Sequence, residues 1–170
     1  IPNSVTNIGI SAFSNCKSLT NIMIPDSVTE IGWYAFEGCA SLTSVTIPNG
    51  VKSTGAYVFR GCTSLTSITI PDSVRYIDYG AFEDCISLTS ITIPDSVCKI
   101  YSSAFSGCTS LTSIIIPDSV QNIEDNVFED CASLTAINVA TGNNDYVSVN
   151  GVLYNKYKTT IICYPTGKKD

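Results

Sequence analysis

The chain has 170 residues, a formal net charge of −6 and a sequence pI of about 4.4. This acidity argues against nucleic acid and anionic membrane surfaces as partners, because both require clustered basic residues. No apolar run approaches the roughly 20 residues needed to span a bilayer, so we predict no membrane insertion in this fragment. We interpret the chain as a fragment because it begins with Ile1-Pro2, part-way through a repeat.

A period of 23 residues runs through most of the sequence. It is carried by Phe13, Phe36, Phe59, Phe82, Phe105 and Phe128, by Cys16, Cys39, Cys62, Cys85, Cys108 and Cys131, and by Pro2, Pro25, Pro48, Pro71, Pro94 and Pro117. A fixed period of this length is typical of a solenoid, in which each unit buries its apolar face by stacking on its neighbours. We therefore predict six stacked coils over residues 1–139.

The apolar pattern within one unit predicts its local structures in order. Residues 25–27 (Pro-Asp-Ser) indicate a turn, since proline presets φ and Asp or Ser can bond nearby N–H groups. Residues 28–31 begin a second extended stretch. The pattern Ala-Phe-x-x-Cys at 35–39 predicts a single helical or 3-10 turn. Residues 42–47, with the spacing Leu-x-x-Val-x-Ile, predict a half-buried β-strand that ends at the next proline.

The period ends after Val139, and residues 140–170 predict a separate capping segment. Two alternating stretches, 146–149 and 152–154, flank the Asn-Gly pair at 150–151, which is the strongest short signal of a β-hairpin. Residues 159–164 predict a third strand. We expect this hairpin or three-stranded meander to cover the last coil, whose open strand edge would otherwise template aggregation.

Residues 62–74 (Cys-Thr-Ser-Leu-Thr-Ser-Ile-Thr-Ile-Pro-Asp-Ser-Val) and their counterparts resemble the BspA-like subfamily of leucine-rich repeats. The resemblance recurs six times and implies a leucine-rich-repeat solenoid with parallel strands. The sequence departs from the pattern at Thr54, which replaces Ile, at Asp78, Tyr101 and Glu124, which replace Gly, and at Val58 and Val127, which replace Ala. None of these changes alters the predicted fold.

The same resemblance implies a function. BspA-like repeat proteins are bacterial and protist cell-surface proteins implicated in attachment to host matrix proteins and to other cells. We therefore expect an extracellular or surface-located binding and adhesion module, whose partner is a host matrix protein, a cell-surface protein or a glycan. Two alternatives stay open: a structural spacer of a larger surface protein and, ranked below it, a carbohydrate-active solenoid enzyme with two carboxylates across a cleft.

The periodic cysteines could have one of three roles: they could bind a metal, form disulfides or be buried as free thiols. The chain has no histidine and no Cys-x-x-Cys pair, which disfavours zinc. Stacked equivalent cysteines have parallel Cα–Cβ bonds, which is poor geometry for a disulfide. We therefore expect buried free thiols. Cys98 and Cys163 lie off the repeat positions, and we expect Cys98 to be exposed.

Acidic residues give no clear metal or catalytic site. The turn positions Asp26, Asn49, Asp72, Asp95 and Asp118 could hold calcium, but contacts that stabilise the turn explain them better. Without histidine, Ser-His and Cys-His nucleophile pairs are excluded. No phosphate-binding glycine motif is present. We predict a chain that is not an enzyme and uses no cofactor or metal.

The candidate binding site is a group of aromatic residues at variable positions before the Ala-Phe pair. Its members are Trp33, Tyr34, Tyr57, Tyr76, Tyr79 and Tyr101. Exposed aromatic side chains on a rigid scaffold suit contact with a protein or a glycan. The alternative is that these rings only pack over the coil edges. A second candidate is the outward strand face of Met23, Thr46, Thr69, Thr92, Ile115 and Asn138.

Overall fold

The computed structural model describes residues 1–169 and consists of twelve short β-strands joined by tight turns. The strands are β1 (Asn7–Ile8), β2 (Glu30–Ile31), β3 (Ser44–Thr46), β4 (Ser67–Thr69), β5 (Tyr76–Ile77), β6 (Lys99–Ile100), β7 (Ser113–Ile116), β8 (Asn122–Ile123), β9 (Ala136–Val139), β10 (Tyr146–Val149), β11 (Val152–Asn155) and β12 (Ile161–Cys163). The predicted leucine-rich-repeat solenoid of stacked coils is confirmed.

Two columns of parallel strands run along the solenoid. In the first, β3 pairs with β4 and β7 with β9, and an isolated bridge joins Asn21 to Ser44. In the second, β1 pairs with β2, and β5, β6 and β8 form a three-stranded sheet. Each pairing joins residues 23 apart, as in Val45 with Ile68. The sequence period is therefore the distance along the chain from one coil to the next.

A third column consists of the turn segments around the Ala-Phe pair, and here one prediction is wrong. Within residues 1–169 there is no helix, and the predicted helical or 3-10 turn at 35–39 is a series of tight turns. The N–H of Ala35 donates to Gly32 in its own coil, whereas the N–H of Phe36 donates to Val58 in the next coil. Because every second N–H in this segment donates to a carbonyl of the next coil, a helical hydrogen-bond pattern cannot continue.

Left-handed backbone conformations make these turns possible. Each coil has a pair of residues with positive φ, four positions apart, such as Tyr34 (φ 58°) and Gly38 (φ 66°), and the third coil has a further one at Gly55. The second position is held by Asn15, Gly38, Gly61, Asp84, Gly107 and Asp130. These are the residue types that tolerate a left-handed conformation best.

The core is a set of apolar columns inside the coils. The six periodic phenylalanines form one stack, with neighbouring ring centroids from 5.1 to 5.9 Å apart and interplanar angles of 5° to 12°. The rings at 36, 59, 82 and 105 are fully buried, and Phe13 in the first coil is half-buried. Burial of these rings stabilises each coil through its neighbours.

The periodic cysteines confirm the prediction of buried free thiols for five of the six positions. Cys39, Cys62, Cys85, Cys108 and Cys131 are free and buried, whereas Cys16 in the first coil is exposed. Each buried thiol donates to a phenylalanine carbonyl 26 residues earlier, at 3.1 to 3.3 Å. We call this series the thiol ladder. Cys98, which we expected to be exposed, is half-buried.

In four coils, the turn that follows the first column of strands is stabilised by serine rather than by the neighbouring acid. Ser27 Oγ donates to the carbonyl of Val5 in the preceding coil at 2.7 Å, and equivalent bonds of 2.6 to 2.7 Å are made by Ser73, Ser96 and Ser119. The carboxylates of Asp26, Asp72, Asp95 and Asp118 are exposed. In these four turns, the stabilising contact that we expected from the acidic side chain is therefore made by the serine hydroxyl.

The predicted three-stranded meander is present, with β11 antiparallel to both β10 and β12. It supplies hydrogen bonds to the last coil, because the N–H of Ile137 donates to the carbonyl of Gly151 at 2.8 Å. Buried Asn143 donates to the carbonyls of Pro117 and Val120, and so takes the place of the turn serine of a further coil. The division into domains at residues 139 and 140 stays a prediction.

Candidate functional site

The repeat geometry places four of the predicted aromatic residues in the turn segments, whereas Tyr76 begins β5 and Tyr101 directly follows β6. Tyr34 and Tyr57 occupy the first left-handed position of their coils, with φ of 58° and 56°. In the other coils this position is held by Ser11, Gly80, Ser103 and Asn126. Trp33 and Tyr79 lie one residue earlier in the repeat. The site is therefore built from backbone turns that every coil shares and from side chains that differ between coils.

Tyr34 and Tyr57 form the first aromatic cluster. Their rings are stacked with centroids 5.1 Å apart and an interplanar angle of 4°. The ring of Tyr57 also covers Gly80, where an added Cβ would lie 2.4 Å from its Cδ1 atom. The guanidinium of Arg60 lies 5.8 Å from the Tyr57 centroid, within the range of a cation–π contact. Both rings are half-buried, so part of their area already packs within the protein.

Tyr76, Tyr79 and Tyr101 form the second aromatic cluster. The Tyr79 and Tyr101 centroids are 4.8 Å apart at a tilt of 53°, and Tyr76 meets Tyr101 edge-on at 6.4 Å. Tyr76 is 40% exposed and Tyr79 is 43% exposed. These three rings are held by one another, and two of them keep a large accessible surface.

A charged pair fixes the edge of the second aromatic cluster. Lys99 Nζ lies 4.1 Å from the Tyr101 centroid and 2.6 Å from Glu124 Oε1. Glu124 also accepts hydrogen bonds from the N–H and hydroxyl of Ser102 at 3.1 and 3.0 Å. The hydrogen bond between them raises the pKa of Lys99 and lowers the pKa of Glu124. Both groups therefore stay charged around neutral pH, and Lys99 remains fixed beside the ring.

Trp33 stands apart from both clusters. It is 60% exposed, and within residues 1–169 its ring has no aromatic or cationic partner. The structure therefore brings five of the six predicted residues into two ring clusters and leaves the sixth as an isolated exposed ring.

An acidic residue next to the aromatic region was not singled out by the sequence. Asp78 stands where coils one to three have glycine, and its carboxylate accepts hydrogen bonds from the Gly55 N–H at 3.0 Å and from the Ser53 hydroxyl. The buried hydroxyl of Thr54 accepts from the Asp78 N–H at 2.9 Å. Asp78 thus fixes the backbone ahead of Tyr57. The sequence contained a signal for this role: Thr54 and Asp78 both depart from the repeat, and they belong to neighbouring coils.

The remaining charged groups near the turn segments form a surface ion-pair series. Arg60 lies 3.7 Å from Glu37 and 3.5 Å from Glu83 in the coils on either side. Burial raises the pKa of Glu83, and the positive charge of Arg60 partly offsets that rise. Within residues 1–169 no three His, Cys, Asp or Glu side chains are grouped so that they could hold a metal ion.

The outward strand face is the second candidate surface. Met23 is 84% exposed and Ile115 is 61% exposed, and threonines occupy the three coils between them. A shallow groove of about 340 Å³ lies at the end of this face, lined by residues 46–49 and 69–72 and by Asp26. In the described part of the chain no helix is long and apolar enough to cross a bilayer.

Comparison with known proteins identifies the repeat. The sequence profile of the BspA type leucine rich repeat region matches residues 1–108 and 53–164, in six copies. No curated protein matches the chain.

Solved bacterial structures share the fold. The T. pallidum leucine rich repeat protein TpLRR is 34% identical with a TM-score of 0.70, covering 77% of this chain and 62% of that one. A leucine rich cell surface protein from Faecalibacterium prausnitzii is 35% identical with a TM-score of 0.71, covering 98% and 51%. A leucine-rich repeat protein from Eubacterium ventriosum is 29% identical with a TM-score of 0.72, covering 85% and 41%.

The chain therefore spans less than two thirds of the length of each of these solved relatives. The family match nevertheless extends over nearly the whole chain, and the solenoid has the architecture that the family's repeats predict. The chain belongs to the BspA-type leucine-rich repeat family.

Proposed function

We propose that this chain is a non-catalytic protein-binding module of a cell-surface or secreted protein, and that it attaches to host matrix proteins or to other cells. The observation that carries the proposal is the grouping of exposed aromatic side chains on one region of a rigid solenoid. Trp33, Tyr76 and Tyr79 are between 40% and 60% exposed. Large exposed rings of this kind are the residues that most often dominate the energy of protein interfaces.

The two aromatic clusters also reduce the cost of binding. A tyrosine that is already held against another ring loses little side-chain freedom when a partner covers it. The stack of Tyr34 on Tyr57 and the contact of Tyr79 with Tyr101 supply such preorganisation. Trp33 is not held against another ring, so its side chain would lose more conformational freedom when a partner covers it. We therefore assign the larger share of the binding energy to Tyr76 and Tyr79.

A surface location is supported by the relatives rather than by the residues. One solved neighbour, from Faecalibacterium prausnitzii, is described as a cell surface protein. A module displayed in many copies on a cell gains overall affinity from multivalency, so individually weak contacts suffice.

The experiment that tests this proposal is binding of the purified chain to arrays of extracellular-matrix proteins and glycans. The repeat supplies matched substitutions, because each aromatic residue can be replaced by the residue that occupies the same position in another coil. In this way Trp33→Ala copies Ala56, Tyr57→Ser copies Ser103, Tyr76→Ser copies Ser53, and Tyr79→Ser copies Ser102. These changes respect the backbone conformation and test the rings alone.

A matched control lies on the outward strand face. Met23→Thr and Ile115→Thr also remove exposed apolar side chains, and they copy Thr46 and Thr69 of other coils. We expect the parent chain and the control variant to bind, and the aromatic variant to lose binding. Loss in the control alone would move the site to the strand face. Absence of binding to any protein or glycan would favour the spacer, and turnover of a glycan would favour the enzyme.

A further inference from the structure

A groove of about 690 Å³ lies at the C-terminal end of the solenoid. One wall is the turn segment of the sixth coil, residues 123–129, and the other is formed by residues 160–164 and Thr166, which include β12. None of the six predicted aromatic residues lines it. The groove exists because the meander covers the two strand columns but not the column of turn segments.

The sixth coil has three main-chain donors that are used in every earlier coil. In coils one to five, the first left-handed residue, the phenylalanine and the second left-handed residue donate their N–H groups to carbonyls of the next coil, as Ser103, Phe105 and Gly107 do to Asp125, Val127 and Glu129 at 3.3, 3.0 and 2.8 Å. Within residues 1–169 the equivalent N–H groups of Asn126, Phe128 and Asp130 have no partner. Unpaired main-chain donors of this kind favour a ligand that brings acceptors.

The spacing of these donors matches a polypeptide. They belong to residues i, i+2 and i+4, and in every earlier coil their counterparts are met by the carbonyls of alternate residues in another main-chain segment. The opposite wall adds apolar surface, because Ile161 is 59% exposed and Ile162 is 36% exposed. Alternate side chains of an extended segment could therefore pack against these isoleucines while the main chain is bound.

Charge decides between a peptide and an anion. Aligned main-chain N–H groups also suit an anion. However, the groove is lined by Glu124, Asp125 and Glu129, and none of its described lining residues is a lysine or arginine. Glu124 is neutralised by Lys99, which leaves two carboxylates at the groove without an ion-pair partner among residues 1–169. These carboxylates repel an anion and attract lysine or arginine side chains.

We propose that this groove binds an extended, basic segment of a partner polypeptide through the N–H groups of Asn126 and Phe128, which line it, and of Asp130, which directly follows its wall. The main chain of the segment supplies the carbonyl acceptors, and its lysines or arginines pair with Asp125 and Glu129. None of the six aromatic residues lines this groove, so the proposal does not depend on the function proposed for them.

Amide hydrogen exchange, measured by NMR on the whole chain, tests the proposal. Without a ligand, the amides of Asn126, Phe128 and Asp130 exchange faster than those of Ser103, Phe105 and Gly107. The probe is a short capped peptide of alternating lysine and valine. At about ten times its dissociation constant, we expect exchange at the three open amides to slow by about tenfold, because only the free protein exchanges. The amides of the fifth coil serve as the internal reference.

Three controls define the outcome. The double variant Asp125→Lys and Glu129→Lys should lose this protection, whereas Asp72→Lys with Asp95→Lys, the same charge change at exposed turns elsewhere, should keep it. A peptide of alternating glutamate and valine should not protect the three amides. Protection by that acidic peptide or by inorganic phosphate would overturn the proposal in favour of an anion site. Unchanged exchange with the basic peptide would overturn it outright.

Discussion

The Sγ atom of Cys62 lies 3.2 Å from the carbonyl oxygen of Phe36 in the preceding coil. The same oxygen accepts the N–H of Cys39 within its own coil at 3.2 Å. A carbonyl oxygen has two lone pairs, so the thiol uses the acceptor capacity that the turn leaves free. Cysteine at this position is therefore both a small buried apolar group and a weak donor that links adjacent coils.

The thiol ladder should contribute to stability in the central coils and not at the exposed end. We predict that Cys85→Ala lowers the free energy of unfolding by about 1–2 kcal/mol, since it removes a buried atom and a weak hydrogen bond. Cys16→Ala should change it by less than about 0.5 kcal/mol, because that thiol is exposed. Urea unfolding followed by circular dichroism measures both. Equal losses in the two variants would show that the ladder adds nothing specific.

Alkaline pH should destabilise the fold through the same thiols. Burial raises the pKa of Cys39 to about 11 and of Cys62 and Cys131 to about 12, from an ordinary value of 9.0. As pH rises, the unfolded chain loses these protons first, so stability is fully present below pH 9 and is lost as pH rises towards 11 to 12.

The variant Cys85→Ala provides the measurement for this pH dependence. Burial also raises the pKa of Cys85, so removing this thiol should make the fall in unfolding free energy shallower by about 1.4 kcal/mol per pH unit above pH 9. Urea unfolding at a series of pH values from neutral to alkaline gives both slopes. Parallel slopes for the parent chain and the variant would contradict the account.

The left-handed positions should discriminate between residue types that fit the same space. Gly61 has φ of 68°, and an added Cβ would meet nothing closer than Gly38 Cα at 3.8 Å. We predict that Gly61→Asn costs less than about 1 kcal/mol, since asparagine tolerates this conformation. Gly61→Val should cost at least about 1 kcal/mol more, because a β-branched side chain does not. Thermal unfolding compares the two, and equal melting temperatures would argue against the backbone explanation.

The stability of the meander should depend on one buried side chain, that of Asn143. Asn143 donates to the carbonyls of Pro117 and Val120 at 2.8 and 2.9 Å and accepts from the N–H groups of Asp145 and Tyr146 at 2.9 and 2.8 Å. Asn143→Ala leaves three main-chain groups without partners, because the Pro117 carbonyl still accepts from the Val120 N–H, and this should cost about 2–4 kcal/mol. The exposed neighbour gives the control, Asn144→Ala. Hydrogen exchange should accelerate in β10 and β11 for the first variant only, and the same exchange in both would refute the role of Asn143.

The sequence predicted the parts of the fold that repeat. The spacing of the phenylalanines predicted the solenoid, and Asn150-Gly151 predicted the hairpin that the structure contains. The helical turn at 35–39 was wrong because apolar spacing alone cannot distinguish a helix from successive tight turns. The signal that could have corrected it was present, since Asn, Gly or Asp occupies the second left-handed position of every coil.

The candidate site was less predictable because it depends on contacts between coils. The sequence identified six aromatic residues, but only the structure separates Trp33 from the two clusters. The stack of Tyr34 on Tyr57 follows from their shared position in the repeat and was readable in principle. The spacing of residues in the sequence does not specify how side chains point or how the meander packs on the last coil. It therefore could not predict the contact of Lys99 with Tyr101 or the open groove beside β12.

Trp33 is the chain's one tryptophan, and it offers the most direct test of the proposed binding surface. The measurement is the 19F NMR spectrum of the chain labelled with 5-fluorotryptophan, titrated with the matrix protein or glycan that binds most strongly in the array. We predict that the resonance shifts or broadens as the partner saturates, and that Tyr76→Ser with Tyr79→Ser weakens the response. A resonance that stays unchanged while the partner binds fully would contradict the assignment of this surface.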